Sequence, residues 1–288
     1  MDWGVDALRQ QLEPLLPGLS IEVLPEVGST NTLLVERARI DRAPCLLVAE
    51  AQTAGRGRLG RAWVSAPGAS LTFSIALPLA PRSWSGLSLA VGLAVADALE
   101  PAPASPPKVG LKWPNDLWLD GRKLGGILIE TVVHGNERIV VAGIGLNLRR
   151  QAIEGTASLY EIDASAAAQV VLASIALPLV RALFDFQAHG FEAVAAAYTK
   201  RDVLRGHAVR TTAAGAVAGL TGVAEGVDSD GALCVRSGGG GGAGSSTALH
   251  RVVSGEVSVR LASTSTQTSA SAQSPAPTPT PASGAAAC

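Results

Sequence analysis

Cysteine is scarce and poorly placed for cross-linking. Cys45, Cys234 and Cys288 are odd in number and far apart, and none belongs to a C-x-x-C pair. A disulfide framework is excluded, and a reduced, cytoplasmic setting is expected. The four histidines (His134, His189, His207 and His250) are scattered, without the spacing of a zinc site. Excess charge of one sign is also missing: 23 Lys and Arg stand against 24 Asp and Glu, a formal net charge of −1. No global basic field exists to hold a nucleic acid, so a coat-like role on DNA or RNA is excluded. No charged segment followed by an apolar run marks a signal peptide at the N-terminus. The most apolar stretch, Ala164–Leu183, is broken by Gln169, Pro178 and Arg181 and suits a core helix better than a membrane span.

What is present is ample apolar material, 47% of 288 residues, enough for one large domain with a small module beside it. Basicity is local, and its densest knot is Gly55–Arg61, with three glycines and three arginines in seven residues. Glycines let backbone N–H groups approach a ligand, and arginines bring permanent charge with forked donors. Three arginines in one turn repel each other until an anion arrives.

Taken in order, Asp2–Leu16 has a helical period ended by Pro17-Gly18, and Ile21–Leu24 alternates like a strand. Ser29 or Thr30 stands where a cap is needed for a helix over Thr32–Arg39. Cys45–Ala49, Ser70–Leu77, Val109–Trp113, Lys123–Val133 and Arg138–Leu148 read as strands, with Trp84–Leu99 as a helix. Asp120-Gly121 signals a hairpin. Ala164–Tyr198 is expected to be helical with interruptions near Pro178 and Gly190. From Gly206 the texture turns to short β segments, a compact β-barrel module carrying a flexible Gly238–Gly242 loop. Ala262–Cys288, rich in Ser, Thr, Ala and Pro, is expected to be disordered. The division is therefore 1–27 as an extension, 28–204 as the main domain, 205–261 as the module and 262–288 as a tail. Hairpin-linked strands with few helices define the α+β class with a mixed or antiparallel sheet.

Gly55-x-Gly57-x-x-Gly60 matches a dinucleotide fingerprint formally, but it runs into Ala62–Gly68, which opens no helix. The same glycines fail as a P-loop, because Arg61-Ala62 stands where Lys-Ser/Thr is required. Two further clusters then matter: Lys112-Trp113-Pro114-Asn115-Asp116 at the end of one strand, and Lys123-Leu124-Gly125-Gly126 at the start of the next but one. Each admits a plainer reading. Ser29-Thr30-Asn31 can be only a cap, and the lysines and Asp116 only a solvated salt-bridge cluster.

Together with Gln52 and Gly143–Asn147, these motifs occur in an order that closely resembles the biotin–protein ligase family over about residues 25–261. The resemblance implies a class II synthetase-like catalytic domain with a small SH3-like β-barrel. It implies a two-step reaction in which biotin and MgATP give biotinyl-5′-adenylate, which then acylates a lysine of a biotin carboxyl carrier domain. Ser29, Thr30, Asn31 and Gln52 are then expected at the biotin ureido group, and Arg56-Gly57-Arg58 as a mobile lid over biotin and the phosphates. Lys123 is expected at the biotin carboxylate and the adenylate, with Asn115, Asn147 and Arg260 as further ligand contacts. Arg58, Lys112, Lys123 and Asp116 are the expected catalytic set, and no protein-held metal is expected beyond Mg²⁺ carried by the nucleotide. Trp63, Ile127 and Leu128 are expected to wall the apolar part of biotin, with core packing an equal reading for Trp63. Relatives that repress transcription carry a winged helix before the first motif; only Met1–Val27 stand there in this sequence, so DNA binding is not expected. The resemblance admits a homodimer. Lipoate–protein ligation and a biotin sensor without turnover are the alternatives.

Overall fold

The structure is a computed structural model of the chain and describes residues 2–102, 105–212, 219–237, 247–254 and 258–261. The Gly238–Gly242 loop and the expected disordered tail lie outside the described residues.

Seven strands build the larger sheet. They are β1 (Ser20–Val27), β2 (Cys45–Gln52), β3 (Ser70–Pro78), β4 (Val109–Lys112), β5 (Asp116–Leu119), β6 (Arg122–His134) and β7 (Glu137–Asn147). Their order is β1-β2-β3-β7-β6-β5-β4, parallel between β1 and β2 and antiparallel elsewhere, so the sheet is mixed. Asp120 and Gly121 both take positive φ (47° and 73°) in the β5–β6 turn, the geometry a two-residue hairpin demands. Residues 2–27 are part of this architecture: α1 (Val5–Leu12) packs through Leu8 and Leu12 into the main core, and β1 forms one edge.

Strand side chains alternate between faces, so register decides what each face carries. Leu71, Phe73, Ile75 and Leu77 of β3, with Val140, Ala142, Ile144 and Leu146 of β7, point into one large core. That core is closed by α3 (Leu87–Leu99), α4 (Ala168–His189) and α5 (Glu192–Thr199). The opposite face is split. Under α2 (Thr30–Ala38) it is apolar, with Cys45, Leu47, Ala76, Val132, Ile139 and Val141 around Leu34. Further along the same strands it turns to Thr72, Ser74, Gly126, Gly143 and Gly145. This second half is where the sheet has left room.

Pro178 does not interrupt the helix as expected, and α4 runs unbroken through it to a stop at Gly190. Proline removes one helical hydrogen bond, but Val171, Leu172, Ile175, Leu179, Val180, Leu183 and Phe186 are all buried, and that packing outweighs the lost bond. By length and hydropathy this helix is apolar enough to cross a membrane, yet its buried face packs on α3 and α1.

The C-terminal strands β8 (Ala208–Thr212), β9 (Thr221–Val227), β10 (Leu233–Ser237), β11 (Ala248–Val252) and β12 (Ser258–Leu261) form an antiparallel sheet ordered β11-β10-β9-β8-β12. Among the described residues no pairing joins β11 to β12, so a closed barrel is not formed by them. Its β9–β10 turn docks on the larger unit. The buried indole of Trp113 donates to the Gly231 carbonyl at 3.0 Å, and Ser85 Oγ donates to the Asp230 carbonyl at 2.7 Å.

Candidate active site

The open half of the sheet face is a cleft of about 110 Å³, lined by Ser29, Thr30, Asn31, Gln52, Arg56, Gly57, Arg58, Asn115, Asp116 and Lys123 among others. Five separated stretches of sequence therefore converge on one space.

Its inner end is polar and buried. Ser29 caps α2, its Oγ accepting from the Thr32 amide at 3.4 Å, and this seats Thr30 and Asn31 on the first turn facing the sheet. Gln52 Oε1 accepts from the Thr30 amide at 2.7 Å. Ser74 Oγ lies 2.7 Å from Thr30 Oγ1 and 2.6 Å from Asn31 Oδ1. Asn31 Nδ2 donates to the Leu128 carbonyl and to Glu130 Oε2, at 3.2 and 2.9 Å. The side-chain amide oxygen of Asn31 sits where a Cβ on Gly143 would be, and the Trp63 indole lies where one on Gly145 would be. The two glycines of β7 are thus what admits these side chains.

The glycine-rich loop folds back on itself. Trp63 N donates to Gly55 O at 2.8 Å and Gly57 N to Arg61 O at 2.7 Å, while Leu59 takes a positive φ of 58° at the tip. Its arginines diverge. Arg56 reaches Thr32 Oγ1 at 3.0 Å and Glu130 Oε1 at 2.7 Å, whereas Arg58 turns to Asn115 Oδ1 at 3.4 Å and to the Ser254 carbonyl of the C-terminal sheet.

The outer end is a charge cluster. Asn115 is pinned to β6 by exchange with Ile127, Nδ2 to O at 2.8 Å and Ile127 N to O at 2.9 Å. Beside it Asp116 Oδ1 meets Lys123 Nζ at 2.8 Å. Lys112 lies over the Trp118 ring, 4.5 Å from its centroid. Burial pulls the Lys112 ammonium below the usual lysine range; Asp116 opposes the shift, and Lys123, Arg260 and Arg61 add to it. Arg58 is likewise lowered, first by burial, then by Arg61 against the pull of Asp116. Arg58, Lys112 and Lys123 thus gather at Asp116, with Arg61 and Arg260 adding positive charge beside Lys112. Such an excess of partly desolvated cations is a standing attraction for a polyanion.

Three expected residues stand apart from the cleft lining. Asn147 is buried behind it, donating to the carbonyls of Lys123 (3.2 Å) and Ala157 (3.1 Å) and bracing the strand that carries the lysine. Lys112 and Arg260 act on the cluster through their fields; Arg260 is exposed on β12. Sequence reading missed Ser74, Glu130 and the Ser254 carbonyl. Ser70, Thr72 and Ser74 alternate as a polar stripe on an otherwise apolar strand, and Glu130 is the one acid within Ile127–Val133; both signals were there to be read. No signal in sequence announces a backbone carbonyl. Among the described residues no group of three or more His, Cys, Asp or Glu gathers as a metal site.

A mixed sheet that sets a buried polar pocket beside a cationic cluster is the architecture of an acid-activating ligase. Residues 23–147 match the profile of the biotin/lipoate A/B protein ligase family, and residues 206–260 that of the biotin protein ligase C-terminal domain. The chain is 36% identical to the biotin–[acetyl-CoA-carboxylase] ligase of Mycobacterium tuberculosis over 243 residues, covering 81% of this chain and 90% of that protein. It is 31% identical to the bifunctional ligase/repressor BirA of Escherichia coli over 287 residues, 91% of this chain and 86% of that one. The biotin protein ligase of Aquifex aeolicus, solved in complex with biotin and ATP, superposes with a TM-score of 0.68 at 30% identity, covering 84% of this chain and 99% of that one. This chain belongs to the biotin/lipoate A/B protein ligase family, among its biotin protein ligases.

Proposed function

We propose that the protein activates biotin with ATP to biotinyl-5′-AMP and transfers the biotinyl group to a lysine of the carboxyl carrier domain of acetyl-CoA carboxylase. The observation that carries this reading is the union, in one cleft, of the buried Ser29-Thr30-Asn31-Gln52 pocket with the cations around Asp116. The named relatives and the biotin and ATP complex agree with it.

In the first step the biotin carboxylate attacks the α-phosphorus and pyrophosphate leaves. Two anions must meet, so Lys123, Arg58 and Lys112 neutralise the charge that accumulates. Thr30, Asn31 and Gln52 supply donors and acceptors to the ureido group, and Trp63, Ile127 and Leu128 wall the apolar chain. Mg²⁺ carried by the nucleotide phosphates would add its charge to that of Lys123, Arg58 and Lys112. The glycine-rich loop closes over the mixed anhydride and keeps water out. In the second step the acceptor amine attacks the anhydride carbonyl, AMP departs, and Asp116 takes the amine proton. Asn147 holds Lys123 in place, and Arg260 extends the cationic field from the C-terminal sheet. We read the larger domain as class II synthetase-like and the smaller as an SH3-like barrel; the support is the mixed, mainly antiparallel order of the larger sheet and the antiparallel order of the smaller.

The experiment is direct. Protein, biotin, MgATP and a carrier domain are mixed, with lipoate as competitor, and the carrier is weighed. A mass gain of one biotinyl group on one lysine is expected; transfer of lipoate in preference, or biotin binding without pyrophosphate exchange, would overturn the reading.

A further inference from the structure

Glu130 has no part in the chemistry just described, yet both its oxygens are engaged in the cleft. One accepts from Arg56 Nη2 at 2.7 Å and the other from Asn31 Nδ2 at 2.9 Å. Arg56 belongs to the glycine-rich loop and Asn31 to the first turn of α2, so a single carboxylate on β6 joins the two. Arg56 Nη1 adds a bond to Thr32 Oγ1, on the next residue of the same helix. A second arginine of the loop, Arg58, turns toward Asn115 and Asp116. We propose that Glu130 is a positioning residue, a strap that holds the glycine-rich loop shut through Arg56 while fixing the orientation of Asn31. The arginines then divide the work: Arg56 fastens the loop with its charge answered by Glu130, and Arg58 is left to the reacting anion.

Geometry gives the strap a measurable signature. Its side chains are partly open to solvent, 45% for Arg56 and 25% for Glu130, so salt weakens the pair. This inference rests on the biotin reading, and its test uses biotin methyl ester, which has no charge of its own, beside biotin itself. Release of both is followed by displacement for the parent, Glu130→Gln, Arg56→Ala and the double variant. Each single variant is expected to release the ester about tenfold faster, the scale of one charge-assisted hydrogen bond. The double variant should be no faster than Arg56→Ala alone, and the salt-acceleration seen in the parent should vanish in all three. Additive effects, or salt dependence kept in Glu130→Gln, would overturn the strap. Amide exchange in ligand-free protein provides the independent arm. At Gly57 and Trp63 it should rise about tenfold in Glu130→Gln, and unchanged exchange rejects the strap whatever biotin does. Should the parent hold no biotin, the functional reading falls while exchange still judges the strap.

Discussion

The two sheets handle polar groups in opposite ways. On the large sheet Ser74, Thr30 and Asn31 are buried and bonded to one another, within a network that closes only if each member keeps its place. On the C-terminal sheet the ion pairs are exposed, Arg236 with Glu225 and Arg251 with Asp228 and Asp230, each able to exchange its partner for water. A buried network is costly when half satisfied and therefore fixes geometry, whereas an exposed pair with no tie to a buried group fixes little. The difference matches the placement of the candidate site on one sheet, with the other contributing a few contacts: a carbonyl to Trp113, a carbonyl to Arg58 and the field of Arg260.

Breaking the charge cluster of the large sheet should have the greatest effect. Lys123→Ala strands Asp116 and removes a cation from the reacting anions, so biotin-dependent pyrophosphate exchange should fall on the order of 10²–10³-fold with the fold intact by circular dichroism. Gly143→Ala comes next. Its methyl meets the Asn31 side-chain amide, which Ser74 and Glu130 hold in place, so the biotin KM should rise about tenfold or more while the ATP KM changes little. Trp113→Phe tests the seam between the sheets. It deletes the donor to Gly231 and some buried volume, a loss of about 2 kcal/mol, and Tm should drop by about 5 °C. Smallest is Arg236→Ala on the C-terminal sheet, where Tm should stay within about 1 °C. A large drop there would erase the contrast between the two sheets.

Much of the candidate site's lining was legible because its motifs are local. Ser29-Thr30-Asn31 needs only a helix start to face inward, and Lys112–Asp116 needs only a strand end. Asn147 shows the limit of that legibility: the motif containing it was recognised, but its amide serves the backbone of Lys123 behind the cleft. Glu130 escaped for a related reason, since its partners are 74 and 99 residues away along the chain. Pro178 misled because its local preference was weighed without the α3 packing that overrides it.

The sequence by itself determined the alternation of strands, the hairpin at Asp120-Gly121, the glycines that make the loop and the cleft, and the kind of charge gathered there. Those depend on steric freedom and periodicity over a few residues. Tertiary structure alone decided which arginine meets which partner, that Asp116 stands with Arg58, Lys112 and Lys123, and that burial lowers Lys112. Such outcomes follow from distance and dielectric, and neither exists until the sheet has brought remote strands side by side.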